Sequence, residues 1–157
     1  MAQSSLLKCI SWNVNGIRAV EKKGFVEQML SFDADIVAIQ ETKAQVEQLS
    51  AELKDIPGYT SYWHSAERKG YSGVAIYSRV APLAVRYGLG EAEFDCEGRV
   101  LTVELERCFV VNIYFPNSGD ELKRLDFKLR FNASLLRYAE TLRKEKPVVL
   151  CGDFNVA

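Results

Sequence analysis

Short apolar runs alternate with amphipathic ones along the whole chain. Apolar runs bounded by turn residues predict strands over Leu7–Trp12, Asp35–Ile39, Tyr59–His64, Gly73–Ser78, Leu83–Tyr87, Val100–Leu105, Phe109–Tyr114 and Pro147–Cys151. Helical spacing predicts a short helix over Phe25–Phe32 and another over Ala44–Lys54, with Val46, Leu49 and Leu53 on one face and Pro57–Gly58 as its stop. A long helix is predicted from about Glu121 to Lys144, its apolar stripe formed by Leu125, Leu129, Phe131, Leu135, Leu136, Tyr138 and Leu142.

Three of these strands are apolar on both alternations: Ile36–Ile39, Phe109–Val111 and Val148–Leu150. Such a strand needs cover on both faces of its sheet. The helices can cover one face, and the chain offers no obvious second layer. The expectation is an α/β domain over residues 1–157, with one sheet, its helical layer and a layer missing. No repeat, low-complexity tract or linker interrupts it.

Composition alters this picture little. The chain is 48% hydrophobic and 26% charged, as globular domains are, with a net charge of −1. That balance argues against general coating of DNA, but leaves room for one local basic patch. No stretch reaches the roughly 20 apolar residues of a membrane span. Met1–Ser5 are polar and lack the basic and apolar regions of a leader, which points to the cytoplasm and to no membrane partner. Cys9, Cys96, Cys108 and Cys151 have no metal-ligand spacing and read as free, buried thiols. His64, the one histidine, reads as structural.

Candidate chemistry lies just after the strands. Asn13, Asn15 and Gly16 follow the first strand, and Gln40, Glu41 and Thr42 the second. Pro116, Asn117 and Gly119 follow Tyr114, while Gly152, Asp153 and Asn155 close the last strand. Ligands of layered α/β folds bind at strand carboxyl ends. Two carboxylates among amides, without clustered Cys or His, suit a hard cation such as magnesium.

Five segments in this order resemble the exonuclease III and abasic endonuclease family of the endonuclease–exonuclease–phosphatase superfamily. They are Ser11–Arg18, Gln40–Lys43, Gly70–Ala75, Tyr114–Gly119 and Gly152–Ala157. The resemblance spans Leu7 to Ala157. It implies part of a DNase I-like, four-layer α-β-β-α sandwich. It also implies a magnesium cofactor, with manganese as a substitute, and duplex DNA with abasic sites or 3′ ends as substrate. Residue by residue, Glu41 is implied as the metal ligand and Asn13 as its neighbour. Asp153 would position or deprotonate the attacking water. Asn155 would hold the scissile phosphate, Tyr114 would donate to it or to the leaving group, and Asn117 would contact the same site. Gly70 and Tyr71 would touch the DNA backbone, with Arg18 and Lys43 as phosphate contacts. Both tyrosines also fit plain packing roles.

Asn15 departs from the family, where some members carry an acidic residue. The family also continues beyond the Asp153 motif with an Asp–His pair and a further aspartate. The expectation is therefore an incomplete nuclease, inactive or impaired until a carboxy-terminal half is supplied. Two other readings stand beside it: a small-molecule or lipid phosphatase of the same superfamily, and a non-catalytic half docking on a partner chain.

Overall fold

The computed structural model describes residues 6–156. The Met1–Ser5 reading and Ala157 of the last motif lie outside the described residues. The strands are β1 (Cys9–Asn13), β2 (Ile36–Gln40), β3 (Thr60–His64), β4 (Val74–Ser78), β5 (Ala84–Tyr87), β6 (Val100–Glu104), β7 (Phe109–Tyr114) and β8 (Val148–Asp153). The α-helices are α1 (Ile17–Glu21), α2 (Phe25–Ser31), α3 (Ala51–Lys54), α4 (Ala92–Asp95) and α5 (Leu125–Arg143).

The strands form two four-stranded sheets, ordered β1-β2-β4-β3 and β5-β6-β7-β8. This overturns the expectation of one sheet with a layer missing. The alternation of side chains explains it. Ile36, Ala38, Val74 and Ile76 on the first sheet face Leu101, Val103 and Val110 on the second. Val37, Ile39, Ala75 and Tyr77 point the other way, against Ile17, Phe25, Met29 and Leu53 of α1 to α3. Phe109, Val111 and Ile113 meet Phe94 of α4 and Phe131, Leu135 and Leu142 of α5. β2 and β7 thus find a sheet on one face and helices on the other, giving four layers from this chain alone, while β8, the third doubly apolar strand, lies at the sheet edge with Val149 and Leu150 each 40% exposed.

Two helical predictions need correction. Ala44–Lys54 is broken: a 3-10 turn over Val46–Gln48 ends at Leu49, whose backbone is extended, and α3 starts after Ser50. Ser50 accepts a hydrogen bond from the Leu53 N–H at 3.1 Å, so this polar residue caps a new helix instead of continuing the old one. In α5 only part of the expected stripe is buried. Leu129 and Leu136 remain 58% and 63% exposed, because only Phe131, Leu135 and Leu142 pack against the second sheet. No described helix is long and apolar enough to cross a membrane.

β1 and β2 run parallel, and so do β7 and β8. Asn13, Tyr114 and Asp153 therefore end three strands, and Glu41 directly follows a fourth. Gly152 has φ 147°, and a Cβ there would lie 1.8 Å from the Ile113 oxygen. Only glycine lets β8 approach β7 this closely, one residue before Asp153.

Candidate active site

Residues distant in sequence converge on the amide of Asn13. Its Nδ2 donates to Glu41 Oε1 at 2.9 Å and to Asp153 Oδ2 at 2.7 Å. The first partner lies on the first sheet and the second on the other, so one side chain bridges both halves of the sandwich. The Asn13 oxygen accepts from the Asn15 N–H at 2.9 Å, which orients the amide and leaves its two hydrogens for the carboxylates.

Glu41 also pairs with Lys43, whose Nζ lies 2.9 Å from Oε2. The same ammonium donates to Asn15 Oδ1 at 2.5 Å. Burial pushes the Glu41 carboxyl up, but hydrogen bonds from Asn13, Lys43 and Tyr114 and the Lys43 charge outweigh it and hold the group below its ordinary range. The Tyr114 phenol is pushed well above its usual value, first by burial and then by Glu41. It is thus a hydrogen-bond donor at neutral pH. Asp153 Oδ1 accepts from the Asn155 N–H at 3.0 Å, and the Asn155 side chain donates to the Phe115 oxygen at 2.8 Å. Lys128 reaches from α5 to the Asn155 oxygen at 2.6 Å.

The backbone here is unusual. Asn15, Glu41, Lys43, Ser72 and Asn155 have φ of 46°, 54°, 49°, 46° and 48°. Asn tolerates this region, while Glu and Lys seldom adopt it, and such conformations concentrate at functional sites. The Gly16 N–H on the Glu41 oxygen at 2.7 Å and the Lys43 N–H on the Ser72 oxygen at 2.9 Å hold the loop in place.

A second cluster joins the loop carrying Tyr71. Its hydroxyl accepts from Arg99 at 2.8 Å and from Arg124 at 2.7 Å. Glu97 binds both guanidinium groups, Arg99 at 2.5 Å and Arg124 at 2.7 Å. Arg99 also donates to the Tyr114 backbone oxygen at 3.0 Å, linking the two clusters. A groove of about 500 Å³ opens beside Tyr71, lined by Arg68, Cys96 and Arg124. Arg18, Lys22 and Lys43 line another groove, of about 630 Å³, next to Gly16.

Among the predicted residues, Asn13, Glu41, Tyr114, Asp153 and Asn155 come together. Lys43 joins them as a partner of Glu41. Tyr71 sits on the arginine cluster, while Gly70 and Arg18 are exposed on the flanking loops. Asn117 is exposed, and its side chain makes no hydrogen bond to the cluster. Arg99, Arg124, Glu97 and Asn112 escaped the sequence reading. A charged residue opening an apolar run, as in Arg99–Val100–Leu101, and an amide inside Val110–Val111–Asn112–Ile113 were the available signals.

His64 donates from Nδ1 to the Val100 oxygen at 2.8 Å, as a structural residue does. The four cysteines are free and half-buried, and burial raises each thiol, Cys151 to about 12. Among the described residues no three His, Cys, Asp or Glu side chains gather as a metal cage. Glu41 and Asp153 are the two carboxylates that this amide-rich site offers to a cation.

A family model described as Endonuclease/Exonuclease/phosphatase family matches residues 10–157. The chain is 48% identical over 152 residues to an exodeoxyribonuclease of Bacillus subtilis, covering 96% of this chain and 59% of that protein. It is 43% identical to the DNA repair nuclease APEX1 of Danio rerio, covering 96% of this chain and 49% of the relative. The catalytic domain of Xenopus laevis APE2 superposes with a TM-score of 0.83 at 32% identity, covering 96% of this chain and 59% of that one. The chain thus spans about half to three-fifths of the length of these relatives.

Proposed function

The chain belongs to the endonuclease/exonuclease/phosphatase family, and from that premise we propose that it carries the Glu41–Asp153 part of a magnesium-dependent DNA phosphodiesterase active site. The proposed reaction is incision beside abasic sites and removal of nucleotides from 3′ ends. The observation that carries the reading is the Asn13 amide held at once by Glu41 and Asp153.

Each group has a task in this reading. Glu41, oriented by the neighbouring Asn13 amide, would hold the magnesium, which when bound supplies positive charge to polarise a phosphoryl oxygen. Asp153, oriented by Asn13 and the Asn155 N–H, would position the attacking water and take its proton. Asn155 would donate to the scissile phosphate, and the protonated Tyr114 phenol to the phosphate or leaving oxygen. Lys43 could leave Glu41 for a phosphate when substrate arrives. Arg18 and Lys22 on one side, and Gly70 and Tyr71 on the other, would hold the DNA backbone.

The names of the relatives support the DNA-directed branch over a lipid or small-molecule phosphatase. We further infer slow turnover by these residues alone, because no imidazole stands at the cluster among the described residues to move a proton, and the Lys43 ammonium is tied to Glu41.

The test is incision of a labelled duplex with one abasic site, with magnesium or chelator, by wild type, Glu41→Gln and Asp153→Ala. Cutting that is slow, chelator-sensitive and lost in both variants is expected. Chelator-insensitive cutting, or cutting retained in Asp153→Ala, overturns the assignment. Wild-type rates equal to those of the B. subtilis exodeoxyribonuclease overturn the inference of slow turnover.

A further inference from the structure

The site is split between two sheets that meet through a mostly apolar layer. Apolar contact is non-directional and does not by itself hold two sheets at one offset. Yet Glu41 on one sheet must keep its distance from Tyr114 and Asp153 on the other. Two amides within the layer supply direction.

Gln40 and Asn112 are 1% and 0% exposed. Gln40 Nε2 donates to Asn112 Oδ1 at 2.7 Å across the inter-sheet space. Asn112 Nδ2 reaches back to the Ile39 oxygen at 2.9 Å and the Ala75 oxygen at 2.8 Å. Ile39 and Ala75 are a matched pair in the β2–β4 ladder, so Asn112 of β7 is pinned to one rung of the opposite sheet. Gln40 is further held by Ser11 Oγ of β1 at 3.1 Å. One buried pair therefore ties β7 to β1, β2 and β4.

The pair lies directly below the site. Gln40 immediately precedes Glu41. Asn112 is two residues before Tyr114, on the same face of β7, and pairs in register with Cys151, two residues before Asp153. Buried amides are costly unless bonded, and when bonded they select one arrangement of the core.

We propose that Gln40 and Asn112 are positioning residues that set the offset of the two sheets, and with it the separation of Glu41 from Tyr114 and Asp153. The metal readout rests on the proposed function above. The pair touches neither metal nor substrate and acts through the strand ends.

The test compares Asn112→Leu, Gln40→Met and the double variant Gln40→Leu/Asn112→Leu in the full chain. Thermal melting, Mn2+ affinity by electron paramagnetic resonance, and the fluorine resonance of Tyr114 in fluorotyrosine-labelled protein are measured. The resonance is assigned by its loss in Tyr114→Phe. Asn112→Leu takes from Gln40 its partner on the second sheet and from the Ile39 and Ala75 oxygens their amide, and lowers the melting midpoint. Replacing both amides also removes the buried Gln40 amide and recovers part of the midpoint. Mn2+ affinity is expected to stay about tenfold below wild type in the double variant, as for other groups that orient metal ligands. The Tyr114 resonance is expected to stay shifted. Gln40→Met, which keeps the Asn112 bonds to β2 and β4, is expected to lose less and serves if the double variant does not fold.

Wild-type affinity and an unmoved Tyr114 resonance in the folded variants overturn the proposal. Wild-type protein that binds no Mn2+ sinks the metal reading instead. The Tyr114 resonance then still decides the positioning role.

Discussion

β2 and β8 are alike in sequence and opposite in setting. Both are apolar, both run parallel to one neighbour, and both lead to a carboxylate of the candidate site. β2 lies between β1 and β4, and all five of its residues are buried. β8 is the edge strand beyond β7, and its Val149 and Leu150 are each 40% exposed. An apolar run encodes the capacity to be buried, while place in the sheet decides how far that capacity is used. Glu41 is thus delivered by a strand supported on both sides, and Asp153 by a strand supported on one. The Asn13 amide is what brings the second to the first.

The comparison breaks most sharply at Ile39, which is fully buried. Ile39→Ala is expected to lower unfolding free energy by about 2–5 kcal/mol, read by chemical denaturation, because β2 has no route to collapse around the cavity. A loss under about 1 kcal/mol would mean that β2 is no better supported than β8.

Gly152→Ala comes next. Its Cβ would collide with the Ile113 oxygen at a φ that L-residues avoid. A loss of more than about 1 kcal/mol is expected, together with loss of Asp153-dependent incision. Unchanged stability would show that the β7–β8 approach is looser than described.

A pH series sharpens the comparison on the Glu41 side. The folded-state pKa of Glu41 lies below its usual 4.5. The stabilisation is therefore present above about 4.5 and is lost as pH falls through the lower folded value. Glu41→Gln is expected to flatten the acid limb of a stability–pH curve in that window. An identical acid limb in wild type and variant would remove Glu41 from the account.

The smallest effect is expected at Leu150. Leu150→Ser should change stability by no more than about 0.5 kcal/mol in the same denaturation experiment. A core-sized loss would mean that the outer side of β8 is covered in solution.

Much was readable from local pattern. Six-residue runs such as Phe109–Tyr114 announce strands because side chains alternate every two residues, whatever lies around them. Asn13, Glu41, Asp153 and Asn155 stood out as polar residues closing apolar strands, and Tyr114 entered through the family resemblance of its motif. Local pattern failed where burial depends on a partner. Leu129 and Leu136 match the helical period as well as Leu135 does, yet only contact with the facing sheet chooses among them. It failed again at Asn112 and Arg99, which look like interruptions until the opposing sheet and the Tyr71 loop supply their partners.

The sequence by itself determined the strands, the long helix and the residue types gathered at strand ends, because these follow from interactions between near neighbours. Tertiary structure alone decided that the strands divide into two sheets, that Asn13 meets a carboxylate 140 positions away, and that Gln40 finds Asn112. Those outcomes depend on hydrogen bonds and burial between distant segments, and no local period records which distant segment will be there.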